Sequence, residues 1–355
     1  IYNAYESLDE PGEWYYDQMS GRLYIYPFAD TTRNSTLRMT SSNFDLISVN
    51  GASYLNLEGL TVTSSKKDGI VMNNVDHCVI ENCTLTSFEG RAVSIDNATY
   101  SGLKNSEVAY TSISAIYLNG GDYQTMEPGY DFITNCRIHD TNQYRTMNEG
   151  GVKFRGVKNT FSNNEVYNIT DMALNFAIVG GGPTSLDCVI ENNSFHDVVL
   201  NGKDMGAVYG GDARCQGVVI RNNHFYNIAN NDSSFPSFSA NAVYLDDGLS
   251  GAAVTGNIFG PGASGEYLEA VKINCGHDTV ITNNLFIDTR CAFNVYIAGN
   301  FAVGMTNDSG FGIAPSLRQV WNNELYTSRW PWMAALRDGE TDVYIPNIFK
   351  NNVII

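Results

Sequence analysis

The sequence predicts an all-β fold, a parallel β-helix, on three observations. A phrase of the form x-Asn-(Asn/Cys/Ser)-x-apolar recurs along the 355 residues, as in "IENCTLTS", "ITNCRIHD", "FSNNEVYN", "IENNSFHD", "IRNNHFYN", "ITNNLFID", "VWNNELYT" and "FKNNVII". Its first turn residue falls at 82, 105, 135, 163, 192, 222, 256, 283, 322 and 351, in steps of 23 to 39 residues. Each period also carries a second run of alternating character, such as "RAVSID", "GGVKFR", "NAVYLDD" and "EAVKIN". Periods of this length, with about three short strands and no helical pattern, fit about ten coils stacked at ~4.8 Å. A leucine-rich repeat would need a leucine-spaced consensus and a helix per turn, and neither is present.

The elements follow in order. Residues 1–45 form a β-hairpin or capping segment: in "EWYYDQMSGRLYIYP", 13–27, two aromatic strands flank a polar turn containing Gly21 and close at Pro27. This hairpin is expected to cap or pack on the solenoid. Residues 46–355 form the β-helix, with "LNLEGLTV" at 55–62 as a degenerate early copy. Asparagines stacked in register at one corner can hydrogen-bond from coil to coil. The stretches at 121–130, 229–240 and 299–316 exceed the minimal coil and read as loops leaving one corner, where solenoids build sites.

Composition narrows the partners. Lys and Arg number 21 against 38 Asp and Glu, a net charge of −17, which argues against nucleic acid and acidic membranes. A polyanionic substrate is disfavoured too, unless a local basic cleft overrides the global field. Only 17% of residues are charged, so the surface is polar through amides and hydroxyls, as suits sugars. The seven cysteines, at 78, 83, 136, 188, 215, 275 and 291, show neither a CxxC pair nor zinc spacing and read as small core residues. No run of 18 apolar residues marks a membrane span. The chain starts at Ile1, without Met or signal peptide, and reads as a mature or truncated piece of a longer protein.

The candidate chemistry lies on the second run of each period. Ser94, Tyr117, Lys153, Asn175, Tyr209, Tyr244, Lys272 and Asn294 align as one column, flanked mostly by Val, Ile, Leu or Phe. Period-two alternation sends the column outward and its neighbours into the core. Two positions on stand Asp96, Asn119, Arg155, Ala177, Gly211, Asp246, Asn274 and Tyr296; upstream stand Glu89, Glu149, Asp171, Asp204 and Glu269. Carboxyl groups beside aromatic rings and a few cations suit glycosidic bond cleavage, where one carboxyl donates a proton and another, ionised, attacks or activates water. Asp246 and Glu269 fall on adjacent coils but five residues apart along the strand direction.

Each candidate has a plain structural alternative. Glu89, Glu149 and Asp171 suit turn caps, and Asp247 suits an Asp-Gly turn with Gly248. Lys153 and Lys272 suit pairing with the carboxylates. His139, His196 and His224, at comparable places in the phrase, read as surface or turn residues. Trp330 and Trp332, in "RWPW", read as filling the C-terminal coils in preference to stacking on sugar.

"LDEPGEWYYDQMSGRLYIYP", "KDMGAVYGG" followed by "VIRNNHFYNI", and "AVYLDDGLSGAAVTGNIF" resemble the right-handed parallel β-helix glycoside hydrolases of families 141 and 120. The resemblance spans about residues 5 to 295, with a departure at "GGDARCQG". It implies an exported enzyme, secreted or periplasmic, that cleaves plant or microbial polysaccharides with xylosidase-, xylanase- or fucosidase-like action. Carried onto this chain by motif, the catalytic positions are Asp204 and Asp246, with Glu269 as acid/base; Lys153, Arg155, Asp171, Tyr209, Tyr244, Asp247 and Lys272 are expected to bind substrate.

Two other readings compete. A polysaccharide lyase acting on uronates would use Lys153, Arg155 and Lys272 with Tyr209 or Tyr244, with calcium as the one cofactor to consider. A non-catalytic carbohydrate-binding solenoid would use the aromatic face alone. Otherwise no metal or cofactor is expected.

Overall fold

The computed structural model describes residues 4–32, 37–145, 149–178, 182–202, 204–228, 240–262, 269–296 and 313–355. The chain divides into two units, Ile1–Thr40 and Ser41–Ile355. In the first, Trp14–Asp17 pairs antiparallel with Arg22–Ile25, Trp14 opposite Ile25 and Asp17 opposite Arg22. Gly21 takes φ 67° in the connecting turn, as a tight hairpin requires. Tyr5 packs edge-on against Tyr15 and Tyr24, at 5.6 and 5.3 Å.

Among the described residues the second unit forms a parallel β-helix of ten coils, and its strands line up in three sheets. One coil supplies Val79–Glu81 to the first sheet, Thr84–Phe88 to the second and Val93–Ala98 to the third. Period-two alternation turns alternate residues of each strand inward, so equal positions of successive coils stack as columns. In the second sheet Phe195, Phe225, Phe259 and Phe286 follow one another at 5.2, 5.1 and 4.7 Å, all fully buried.

The paired asparagines divide two tasks at the corner between the first and second sheets. The leading residue takes the left-handed conformation, φ 53° at Asn82, 57° at Asn163 and 55° at Asn222, which Asn tolerates at little cost. The following one turns inward and builds a ladder. Asn193 donates from its backbone N and its Nδ2 to Asn223 Oδ1, at 2.9 and 3.0 Å, and from Nδ2 to Phe161 O at 3.0 Å. Asn164, Asn257 and Asn284 repeat the pattern. Every donor and acceptor of these buried amides is thereby used. Cys136, Ser106 and Cys83 continue the column with smaller side chains: Cys136 N donates to Asn164 Oδ1 and Cys83 N to Ser106 Oγ.

Three expectations change. The phrase at 322 is not a coil: Asn284 bonds directly to Asn352, and residues 313–337 form helices. These are Ile313–Arg318, Glu324–Arg329 and Pro331–Arg337. Asn323 caps the second of these by accepting from Leu325 N at 3.0 Å; Asn followed by Glu is also a helix-start signal, which the turn phrase imitates. Trp330 and Trp332 therefore belong to the helical insertion, and Trp332 meets the His277 ring edge-to-face at 4.6 Å. Within 121–130 a small antiparallel pair forms, Gly121–Asp122 against Glu127–Pro128. Residues 229–239 and 299–312 lie outside the described residues.

All seven cysteines are free, and five of them are buried. Among the described residues no helix is long and apolar enough to cross a membrane.

Candidate functional site

The third sheet carries the outward column that alternation predicts. Ser94, Tyr117, Lys153, Asn175, Tyr209, Tyr244, Lys272 and Asn294 pair in that order along successive coils. The second column holds from Asp96 through Asn119 to Arg155, breaks at Ala177, and resumes with Gly211 opposite Asp246 and Asn274 opposite Tyr296. A register shift after Asn175 sets Ala177 opposite Gly210 and Ile178 opposite Gly211, and Ala177 is buried. Such a bulge re-aims the residues around it. Pointing out of the core does not mean exposure either: Tyr244, Asn175 and Arg155 are 2%, 1% and 4% exposed. Lys272 explains part of this, its Nζ lying 4.3 Å above the Tyr244 ring.

Asp246 sits at the centre of a carboxyl–phenol cluster. The Tyr209 hydroxyl donates to its Oδ2 at 2.8 Å, while Asn274 Nδ2 and the Asp247 backbone N donate to its Oδ1 at 2.7 and 2.8 Å. Burial first, then the Asp246 charge, pushes the Tyr209 and Tyr244 phenols above their ordinary range, so both stay protonated. Asp247 makes the expected Asp-Gly turn, with φ 49° followed by 76° at Gly248. Its carboxyl is pushed up to about 7, by burial first and then by Asp246, Asp212 and Asp204. Gly211 leaves room for the cluster: a Cβ there would meet Tyr209 Oη at 2.7 Å and Asp247 Oδ2 at 3.1 Å.

The other acidic candidates stand apart. Asp204 lies 3.3 Å from Lys272 Nζ and is largely exposed. Glu269 is held by Asn294 Nδ2 on Oε1, at 3.1 Å, and by Asn241 Nδ2 on Oε2, at 3.3 Å. It pairs in register with Cys291, without the bend that would carry it toward Asp246. Five residues of strand, roughly 16 Å, separate it from the Asn274 row. Asp171 is fully buried and accepts from the backbone N of Glu149 and Met172, both at 2.8 Å, so it is a turn cap out of reach of a sugar. Glu149 ion-pairs with Lys153 at 2.7 Å and Arg145 at 3.1 Å. Glu89 is exposed at its corner. The histidines differ from the expectation of one common place. His139 and His196 share a column with Tyr167 between them, stacked at 4.7 and 5.2 Å, while His224 sits two residues before the equivalent Tyr226.

A cavity of about 190 Å³ opens further up the same column, lined by Tyr117, Lys153, Arg155, Asn175, Ile178 and Pro183 among others. Arg155 donates to Phe154 O at 3.2 Å and to Asn175 O and Oδ1. All these acceptors are neutral. Burial lowers the guanidinium to about 10, still charged at neutral pH.

Sequence reading places Asn274 and Gly211 in the outward column but misses Asn241, whose partner Glu269 lies one coil away. The "GGDARCQG" segment hides a fully buried ion pair, Arg214 Nη2 to Asp212 Oδ2 at 2.7 Å. Arg214 also donates to Gln319 Oε1 at 2.7 Å, tying the helical insertion to the coil. Among the described residues no group of three or more His, Cys, Asp or Glu side chains is arranged to hold a metal.

A family described as "Right handed beta helix region" matches residues 45–167, in keeping with the right-handed parallel β-helix expected. Comparison with curated proteins finds no match. Among solved structures, alginate lyase from Paenibacillus sp. str. FPU-7 aligns with TM-score 0.44 and 14% identity, over 65% of this chain and 75% of that one. The A-module of the Azotobacter vinelandii mannuronan C-5 epimerase AlgE6 aligns with TM-score 0.40 and 12% identity, over 70% and 55%. The Dettilon tailspike protein (gp208) aligns with TM-score 0.33 and 15% identity, over 71% and 62%. None of these names is a glycoside hydrolase of family 141 or 120.

Proposed function

We propose that this protein is a carbohydrate-active enzyme that cleaves glycosidic bonds of a polysaccharide laid along the third sheet, by acid–base chemistry at Tyr209, Asp246 and Asp247. The observation that carries this reading is the cluster itself: a carboxyl raised to about 7 beside a second carboxyl group and two protonated phenols, with Gly211 leaving room for Tyr209 and Asp247. Perturbed titratable groups gathered on a groove are the usual mark of proton transfer.

Elimination from a uronate fits this arrangement better than the hydrolysis that the sequence ranks first. Hydrolysis needs two free carboxyl groups facing each other across the bond. Here both Asp246 oxygens are taken by donors, Glu269 is tied down at the far end of its strand, and Asp204 is engaged by Lys272. Elimination needs one base, one proton donor and a cation near the sugar carboxylate. Asp247, when ionised, takes the proton from the carbon α to that carboxylate; the electron pair forms the C=C bond as the adjacent C–O bond breaks. A phenol, Tyr209 or Tyr244, gives the leaving oxygen its proton. Lys272, over the Tyr244 ring, offsets the negative charge that develops.

Hydrolysis remains the second reading, favoured by two adjacent carboxyl groups, Asp246 and Asp247, of which Asp247 is raised to about 7. One screen separates the two: uronate polymers and neutral aryl glycosides, read in parallel for ultraviolet absorbance and released phenol, with wild type and Asp246→Asn. Ultraviolet-absorbing product is the expected result. Phenol release without it would move the assignment to hydrolysis, and binding without either product would leave a carbohydrate-binding solenoid.

A further inference from the structure

We propose that the cavity lined by Tyr117, Lys153, Arg155 and Asn175 is a binding subsite for a sugar carboxylate, so that the protein reads a second acidic unit of its polymer away from the bond it cleaves. The proposal rests on the uronate reading and adds the residues that recognise a non-reacting unit.

The argument starts from Arg155. A guanidinium removed from water is costly unless an anion compensates it. Arg155 is 4% exposed, yet its acceptors are a carbonyl of its own strand and the carbonyl and amide oxygens of Asn175. The carboxylate whose charge reaches it, Asp212, is already paired with Arg214, and Glu149 beside the lining Lys153 is held by Lys153, Arg145 and Ser114. A positive charge is thus left over on the wall of a cavity.

The other lining groups suit the same ligand. Burial, then the Asp96 charge, raises the Tyr117 phenol, which stays a donor, and Arg91 lies 5.6 Å from that ring's centre. The planar fork of an arginine matches a carboxylate in shape as well as charge. About 190 Å³ admits the acid group with part of one ring. Arg155 lies three coils before Asp246, roughly 14 Å along the stack, so one bound chain reaches both only by running along the groove over several units.

The test is calorimetric titration of the full chain with oligogalacturonates and oligomannuronates of two to eight units, their methyl esters, and a sulfated oligosaccharide. Long uronates should bind about tenfold more tightly than their esters and than the dimers, the weight of one charge-assisted contact. Arg155→Gln should abolish the gain from length. Should that variant fail to fold by circular dichroism, Lys153→Gln should reduce the same gain. Equal affinity of wild type for acid and ester overturns the proposal, as does a gain from length that survives both substitutions; preference for the sulfated chain overturns the carboxylate assignment. Absence of unsaturated product from every uronate polymer would refute elimination, yet the difference between acid and ester would still report on the subsite.

Discussion

At the scale of single residues, two carboxyl groups, the half-buried Asp247 and the buried Asp131, govern the response to pH. Asp247 is poised near 7, so activity should bend there, and Asp247→Asn should cost about 10²–10⁴-fold in turnover and remove the bend. A pH–rate profile of both proteins checks this; an unchanged profile would take Asp247 out of the reaction. Asp131 stands where Asn159 and Asn347 stand in later coils. Its Oδ1 accepts from Ser101 N at 2.8 Å, as Asn159 Oδ1 does from Asp131 N and Asn347 Oδ1 from Thr279 N. The two amides donate from Nδ2 to backbone carbonyls, Asn159 to Gly120 and Arg155, Asn347 to Gly276. Asp131 can imitate them only with a proton on Oδ2, and burial raises its carboxyl to about 7. The folded chain therefore binds more protons than the unfolded one between the ordinary carboxyl range and 7, and the stabilisation is lost as pH rises through 7. Asp131→Asn should flatten that decline, measured as Tm at pH 5 and pH 9.

At the scale of elements, corners hold the register more than strand propensity does. Strands of two or three residues, such as Ile258–Phe259 and Val219–Arg221, could not fix their own pairing; the amide ladder fixes it for them. Asn223→Ala would strand a backbone N–H and the Ile190 carbonyl, at about 1–3 kcal/mol for each buried group left unsatisfied. Asn222→Gly, at φ 55°, should be nearly neutral. Urea midpoints at unchanged slope would separate the two; equal losses would refute the division of labour. The same corner explains what could be read in advance. Repeat, column and hairpin were legible because each obeys a fixed period. The bulge at Asn175 was not, because an extra residue breaks the period without leaving a sequence mark. Nor was the helical insertion, whose Asn-Asn-Glu start has the letters of a corner.

At the scale of the whole solenoid, a site is assembled across coils rather than along the chain. Tyr209, Asp246 and Asn274 meet from positions 37 and 28 residues apart, and only the known period makes them neighbours. The same register already sets Glu269 and Asp246 on adjacent coils five residues apart along the strand direction; what it leaves out is which donors hold each carboxyl. Contacts confined to neighbouring coils make stability close to a sum over units. Circular dichroism and urea unfolding of a chain lacking residues 83–105 should therefore show a folded protein with a smaller m-value; loss of the β signal would contradict this.

That deletion joins Asn82 to Ser106, and Ser106 would inherit the corner that Cys83 vacates. The ladder has translational symmetry: it distinguishes positions within a coil but not one coil from the next. Insertions and losses of one whole period are thus silent in its bonding, while a change of one or two residues is not. The length of the third sheet is in this sense a counted quantity, open to change in whole steps, and with it the number of sugar units that the proposed polymer site would span.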